Sequence, residues 1–260
     1  MPICGYFFLP SLVVIARIVF VFLLSFGGMQ LSVIIPVLNE REQLPRTLAV
    51  LQASFYPHEI IVVDGGSTDG TREWLCKQPG LQVITTTRGR GHQLKMGANA
   101  ATGNVLLFLH GDCLLGTNSF SLIAKALLDP RTVGGAFVIR FAEARSRSLR
   151  LIAKGINART RVTKTATGDQ GIFVRRTVYE AVGGFADWPL FEDVSLVAKL
   201  KRMGNFAILR EPIVISGRRY LAHGPWRTTV LMYALRLGYW LGIHPSRLYQ
   251  WFVDVRPHLG

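Results

Sequence analysis

Three apolar runs in this chain each lead into an acidic or amide group, and that pattern constrains its fold more than any other feature. The runs are Leu31–Val37 leading into Asn39-Glu40, Ile60–Val63 ending at Asp64, and Val105–Leu109 leading into His110-Gly111-Asp112. Short runs of β-branched and aliphatic residues read as strands buried on both faces. Polar groups just past the carboxyl ends of such strands line one crevice, where open parallel sheets bind ligands. Carboxylates gathered there are costly unless they meet a cation or a hydrogen-bond donor. A nucleotide and a divalent metal satisfy both needs.

The pattern between the runs is helical. Asn39, with Glu42 three residues later, reads as a capping box, and Leu44, Leu48 and Leu51 repeat at helical spacing. Asp64–Gly70 is a turn, and Asp69 caps the helix carrying Trp74 and Leu75. Leu81–Thr85 is a further strand, and Arg88-Gly89-Arg90-Gly91 opens a helix through Leu94, Ala98 and Ala101. This alternation predicts an α/β fold with a mainly parallel central sheet flanked by helices. Beyond it, Gly134–Phe141, Phe206–Leu209 and Ile213–Ile215 read as strands. Ser148–Arg161, Asp193–Arg202 and Trp226–Leu241 read as helices, and residues 168–174 as a turn entering a strand.

A chain of 260 residues buries one sizeable core with a tail or small subdomain to spare. Its three cysteines, Cys4, Cys76 and Cys113, are scattered and form no CxxC pair. That argues against a disulfide framework or a zinc site and fits a reducing cytosol. Residues 1–130 carry 9 Lys/Arg and 8 Asp/Glu, residues 131–260 carry 21 and 8, so the second half holds nearly all of the +14 charge. Arg140 to Lys164 alone has eight basic residues against Glu143. A solvated basic face and a surface for anionic lipid both suit this stretch. Nucleic acid is disfavoured, since no binding motif and no interleaved stacking aromatics are present.

The first 28 residues stand apart. Tyr6 to Phe26 holds fifteen Leu, Ile, Val or Phe around one Arg17. At roughly −0.3 to −0.6 kcal/mol each they outweigh a central Arg at about +3, so membrane insertion is favourable. The alternative is a start at Met29, since the domain begins at once with Gln30-Leu31-Ser32. The expected organisation is an apolar segment over 1–28, an α/β domain over 29–222 and a helical extension over 223–260. The expected location is the cytoplasmic face of a membrane, or the cytoplasm if the chain starts at Met29. The helix Trp226–Leu241 suits either a core or a membrane interface.

Taken together, Val33-Ile34-Ile35-Pro36-Val37-Leu38-Asn39-Glu40, Ile61-Val62-Val63-Asp64-Gly65-Gly66-Ser67-Thr68-Asp69-Gly70 and Leu107-Phe108-Leu109-His110-Gly111-Asp112 resemble the N-terminal half of family 2 glycosyltransferases with the GT-A fold. The likeness runs over residues 31–112 and continues more loosely through Gly183-Gly184-Phe185 and Glu192-Asp193. The chain looks similar to small bacterial enzymes of a radical-SAM/selenodomain-associated transferase group and to diaponeurosporenoate-type glycosyltransferases.

The resemblance implies a role for each piece. Asp64 is placed at the nucleotide base, with Glu40, Gly66 and the backbone near Pro36 at the nucleoside. Carboxylates accept hydrogen bonds from ribose hydroxyls or a pyrimidine N–H. Arg88 and Arg90, helped by Gln93, are expected at the diphosphate. Asp112 is the expected ligand of a divalent cation, Mn2+ or Mg2+. The family's first acid of that motif is replaced here by His110, read as a satisfied strand-end histidine, and His223 is a second possible ligand. Asp193 is expected as general base, with Glu192, Asp169 and Gln170 toward the donor or acceptor sugar. Glu40, Asp64 and the Glu192-Asp193 pair also suit helix capping, and Arg88 and Arg90 a basic surface turn.

The implied activity is inverting, metal-dependent transfer of a sugar from a nucleotide-diphosphate sugar to a hydroxyl or carboxyl of a small or lipid-linked acceptor. The Gln-x-x-Arg-Trp motif of processive members is replaced by Ser216-Gly217-Arg218-Arg219-Tyr220, so a single transfer is expected. Two rivals stand beside it. A sugar nucleotidyltransferase needs a glycine-rich loop after the first strand, and Pro36–Glu40 has none. A non-catalytic basic protein binding membrane or nucleic acid would use the charged half alone. Gly89-x-Gly91-x-x-Leu94 half-mimics a dinucleotide fingerprint, but Leu94 stands where close packing needs Gly or Ala.

Overall fold

The computed structural model describes residues 28–143 and 145–254. The expectation of a membrane helix over Tyr6–Phe26 lies outside them. Seven strands form one sheet: β1 (Leu31–Val37), β2 (His58–Asp64), β3 (Leu81–Thr85), β4 (Val105–Phe108), β5 (Thr132–Phe141), β6 (Ile172–Arg175) and β7 (Asn205–Ile215), in the order β3-β2-β1-β4-β6-β5-β7. Pairing is parallel from β3 to β4 and between β5 and β7. Only β6 is reversed, antiparallel to both its neighbours.

Both faces of the sheet are covered, as the unbroken apolar runs require. One face takes α1 (Leu44–Gln52), α2 (Thr71–Leu75), α4 (Ser119–Leu127) and α5 (Arg147–Thr163) over Val33, Ile35, Val62, Leu107 and Phe137. The other takes α3 (Arg90–Ala100), α6 (Arg176–Ala181) and α7 (Glu192–Met203) over Ile34, Ile61, Val63 and Phe108. Each such side chain, fully buried, contributes roughly 1.5–3 kcal/mol. After the sheet come α8 (Arg218–His223), α9 (Pro225–Trp240) and α10 (Pro245–Asp254). Leu235 and Leu248 of α9 and α10 close a separate apolar cluster with Leu190, Phe191 and Val194.

Strand direction sets which residues reach the ligand edge. Residues after β1, β2 and β4 emerge there, whereas the reversed β6 delivers the residues before it, a single 3-10 turn at Gly168–Gln170. Pro36 is tolerated inside β1 because Ile34 O, two residues earlier, takes the Leu109 N–H, and pairing to β4 then ends.

Three expectations are corrected. Asn39 does not cap α1, which starts at Leu44. Asn39 lies at φ +55° and its Oδ1 accepts the Thr68 N–H at 2.8 Å, pinning one ligand-edge loop to the next. The two short strands near 206–215 are one strand with a bulge opposite Phe137 and Val138, and Glu211 within it accepts from Ser119 Oγ at 2.8 Å. Gln93 does not reach toward a diphosphate. It is buried, and its amide donates to Val37 O at 2.9 Å and Val63 O at 2.8 Å, clamping the ends of β1 and β2. Gln93→Leu removes this donor from both carbonyls, though Val37 O keeps the Gly65 N–H at 3.0 Å, so a loss of about 1–3 kcal/mol is expected in urea unfolding. An unchanged midpoint would remove the clamp from the account.

Candidate active site

The loop after β4 is fastened at both ends. Thr47 Oγ1 donates to Gly111 O at 2.7 Å, and Leu114 bridges Val214 of β7. Along this loop the ligand atoms of His110, Asp112 and Cys113 lie within 4.8 Å of one another. His110 Nε2 is buried without a hydrogen-bond partner among the described residues, so this is not the satisfied histidine expected from the sequence. Burial first, then the Arg90 and Arg219 cations, push His110 down to about 3, which leaves the ring neutral and able to ligate. Burial and the nearby Asp112 and Asp169 charges raise the Cys113 thiol well above its usual range. Its S–H points to Asp112 Oδ1 at 3.7 Å. A neutral imidazole beside a carboxylate, with the sulfur protonated, suits a cation such as Mn2+ better than a thiolate-seeking one. His223 ends α8 and lies outside this cluster.

Asp193 sits at the start of α7, facing the 3-10 turn. Its Oδ2 accepts the Gly168 N–H at 2.6 Å, and its Oδ1 accepts the Val194 N–H at 2.6 Å. Gly168 is required by close approach: a Cβ there would lie 2.7 Å from His110 Nε2 and 3.3 Å from Asp193 Oδ2. The glycine thus brings the β4 loop and the α7 start into one place. Phe191, just before the acidic pair, takes φ +62°, a conformation unfavourable for an aromatic residue. Its burial among Leu190, Val194, Leu235 and Leu248 holds it there.

Arg90, at the first position of α3, pairs with Glu192 Oε1 through Nε and approaches Asp193 Oδ2 through Nη2 at 3.5 Å. Desolvation works against its charge, but the two carboxylates more than offset it and raise its pKa. Glu192 is fully buried, and burial raises its pKa despite the guanidinium. These contacts correct the expectation of Arg90 at the diphosphate: its guanidinium is committed to the acidic pair. Arg88 remains exposed.

At the other end of the crevice, Asp64 is fully buried and accepts from Gly66 N at 3.2 Å and from Ser67 N and Oγ. Its carboxylate closes the turn in which Gly66 takes φ +91°, rather than standing open toward a base. Asp69 accepts from the N–H groups of Thr71 and Arg41, but the N-cap of α2 is Gly70, so Asp69 stands one residue before the capping position expected of it. Glu40 lies beside Asp112, with Arg218 Nη2 at 3.8 Å. Burial first, and Asp112 second, raise the Glu40 carboxyl to about 7, with Arg218 and Arg219 pulling back. Asp169 accepts from Thr167 Oγ1. Burial and Asp193 raise its pKa, while Arg159 and Arg90 oppose the shift. Gln170, expected at a sugar, is instead a buried peg. Its Nε2 donates to Phe137 O at 3.0 Å, and its Oε1 accepts the Thr167 N–H at 3.1 Å.

Two residues of this region escaped the sequence reading. The charge of Arg159 of α5 acts on Asp169, and those of Asp193 and Asp169 act on Arg236 of α9. The signal available was Arg236 standing beside Leu235 on the inner side of an apolar helix.

Residues 32–183 match the family model described as Glycosyl transferase family 2. The chain is 28% identical over 172 residues to undecaprenyl-phosphate 4-deoxy-4-formamido-L-arabinose transferase of Serratia proteamaculans, covering 59% of this chain and 51% of that one. It is 36% identical over 92 residues to glycosyltransferase AglE of Haloferax volcanii, covering 32% and 30%. The chain thus spans about half or less of these relatives. Among solved structures, mannosyltransferase PcManGT of Pyrobaculum calidifontis, in complex with GDP-Man and Mn2+, superposes with a TM-score of 0.61 at 25% identity, covering 79% of this chain and 61% of that one. TarS of S. aureus shares the fold with a TM-score of 0.59 at 19% identity, covering 73% and 61%. The sheet and its helices have the GT-A architecture, and the chain belongs to the family 2 glycosyltransferases.

Proposed function

We propose that this protein transfers a single sugar, with inversion, from a nucleotide-diphosphate sugar to a small or lipid-linked acceptor. The observation that carries the reading is the convergence of Asp112, from the end of β4, with Asp193, from the start of α7, across Gly168. Asp193 takes the proton from an acceptor hydroxyl as its oxygen attacks the anomeric carbon from the face opposite the leaving group. Each Asp193 oxygen keeps lone-pair capacity for this beyond its backbone donor. Arg90 orients the pair. Arg218 and Arg219, whose charges reach Glu40 and His110, face the donor diphosphate. Asp112 with His110 would hold a divalent cation, which supplies positive charge against the departing diphosphate. The GDP-Man and Mn2+ of the PcManGT structure support this assignment.

A membrane surface is the proposed setting. No helix among the described residues is long and apolar enough to cross a membrane. Yet α9 is apolar on both sides: Leu235 packs inward, while Trp226, Val230, Tyr233, Leu237 and Trp240 are exposed, Trp240 at 60%. A helix with aromatic and aliphatic residues outward and Arg nearby suits the headgroup layer. The lipid phosphate in the name of the Serratia relative agrees with such a setting.

Three outcomes follow from this reading. Asp112→Ala and Asp193→Ala are each expected to cut turnover of a nucleotide sugar by at least a hundredfold with circular dichroism unchanged, and full activity in either would discard the assignment. Glu40 binds its proton more tightly folded than unfolded, so native stability falls as pH rises from about 4.5 through 7. In chelator, Glu40→Gln is therefore expected to gain on the order of 1–3 kcal/mol at pH 8 and little at pH 4; an equal gain at both would refute the burial argument. The double variant Trp226→Ser/Trp240→Ser is expected to lose at least tenfold in co-sedimentation with phosphatidylglycerol vesicles while keeping nucleotide affinity, and unaltered sedimentation would exclude α9 as the contact.

A further inference from the structure

Six buried polar side-chain atoms lack a hydrogen-bond partner among the described residues, and five belong to His110, Glu192, Arg159 and Arg236. Buried polar groups are nearly always satisfied, so such a cluster marks a place built for something else. His110 and Glu192 belong to the site already described. The three remaining atoms are all donors: Arg159 Nε and Arg236 Nε and Nη2.

The two guanidiniums come from helices that pack together, α5 and α9. Arg236 is 5% exposed, with its guanidinium 5.9 Å from the ring of Trp240 one turn on. Arg159 spends one N–H on Thr160 Oγ1 at 3.4 Å. Each lies within the field of the other, an arrangement that costs free energy unless negative charge stands between or beside them. Asp169 and Asp193 supply part of it, but neither makes an ion pair with Arg159 or Arg236 within 4 Å. Asp193 is taken by Arg90, Gly168 and Val194, and Asp169 Oδ1 by Thr167. Two planar forks with free N–H groups match the paired oxygens of a phosphate or carboxylate. Helix α5 packs on β5, and α9 packs on α5.

Resting on the transferase reading, we propose that Arg159 and Arg236 form an anion subsite that takes a phosphate or carboxylate group of the acceptor beside Asp193. The site selects acceptors bearing an acid group over neutral ones of equal size. Thr228, also buried on α9, is not needed for it.

The test is calorimetric titration of the full chain with octyl phosphate, octanoate and octanol below their aggregation limits, alongside GDP and UDP with Mn2+ in separate cells. At least one of the two acids is expected to bind ten times more tightly than octanol, and the two arms tell phosphate from carboxylate. Arg159→Gln and Arg236→Gln should each weaken that acid at least tenfold and leave nucleotide affinity within twofold. Arg236→Lys, which keeps the charge and loses the fork, should fall between. Octanol binding as tightly as both acids, or undiminished acid affinity in Arg159→Gln and Arg236→Lys with unchanged thermal melts, overturns the subsite. A wild-type chain that ignores nucleotides but binds the acid refutes the transferase reading and leaves the anion site standing. Nucleotide binding without acid binding does the reverse.

Discussion

Glu192 has no exposure to water, and Arg90 is its paired cation. Removing Arg90, whose own side chain is 40% exposed, leaves the Glu192 carboxylate buried without its partner, which is unfavourable in a low-dielectric place. The pair joins α3, which follows the third strand, to α7, which follows the reversed strand and its loop. It therefore fixes the two halves of the sheet edge relative to each other, and Asp193 is positioned as a by-product. A neutral tie would hold the backbone as well. The charge also sets the field felt by the His110 ring next to it.

The sheet places the remaining groups by direction alone. Parallel strands β1, β2 and β4 release Glu40, Asp64 and the His110–Cys113 loop at a common edge. The antiparallel β6 is the exception that admits residues 167–170, because its beginning rather than its end lies there. Without that reversal Thr167, Gly168 and Asp169 would leave at the far side, and Asp193 would lose the Gly168 N–H.

Much of this was legible because apolar runs and helical repeats are local signals. Leu31–Val37 and Leu81–Thr85 match their strands to the residue, and the runs before Asp64 and His110 match theirs within one or two. Helix α4 is absent from the sequence expectations although Phe120, Ile123, Ala124 and Leu127 repeat at helical spacing. The 206–215 strand was divided in two because Arg210-Glu211-Pro212 looks like a break. Only the long-range bond of Glu211 to Ser119 shows how the strand accommodates a charge. The inward turn of Arg159 and Arg236 was hidden for the same reason. Charge density along Arg140–Lys164 says nothing about which guanidinium a helix from the far end of the chain will cover. Gln93, Gln170 and Arg90 carry ligand-like chemistry that the fold spends on itself, and spacing does not distinguish the two uses.

The absence of a side chain at residue 168 sets the gauge of the cleft. An imidazole on one wall and a carboxylate on the other are held apart by a single hydrogen atom and a peptide plane. The carboxylate is tied to that peptide by the Gly168 N–H, so its place follows the turn. Any larger residue there would act as a wedge, spreading the walls while leaving every reactive group chemically intact.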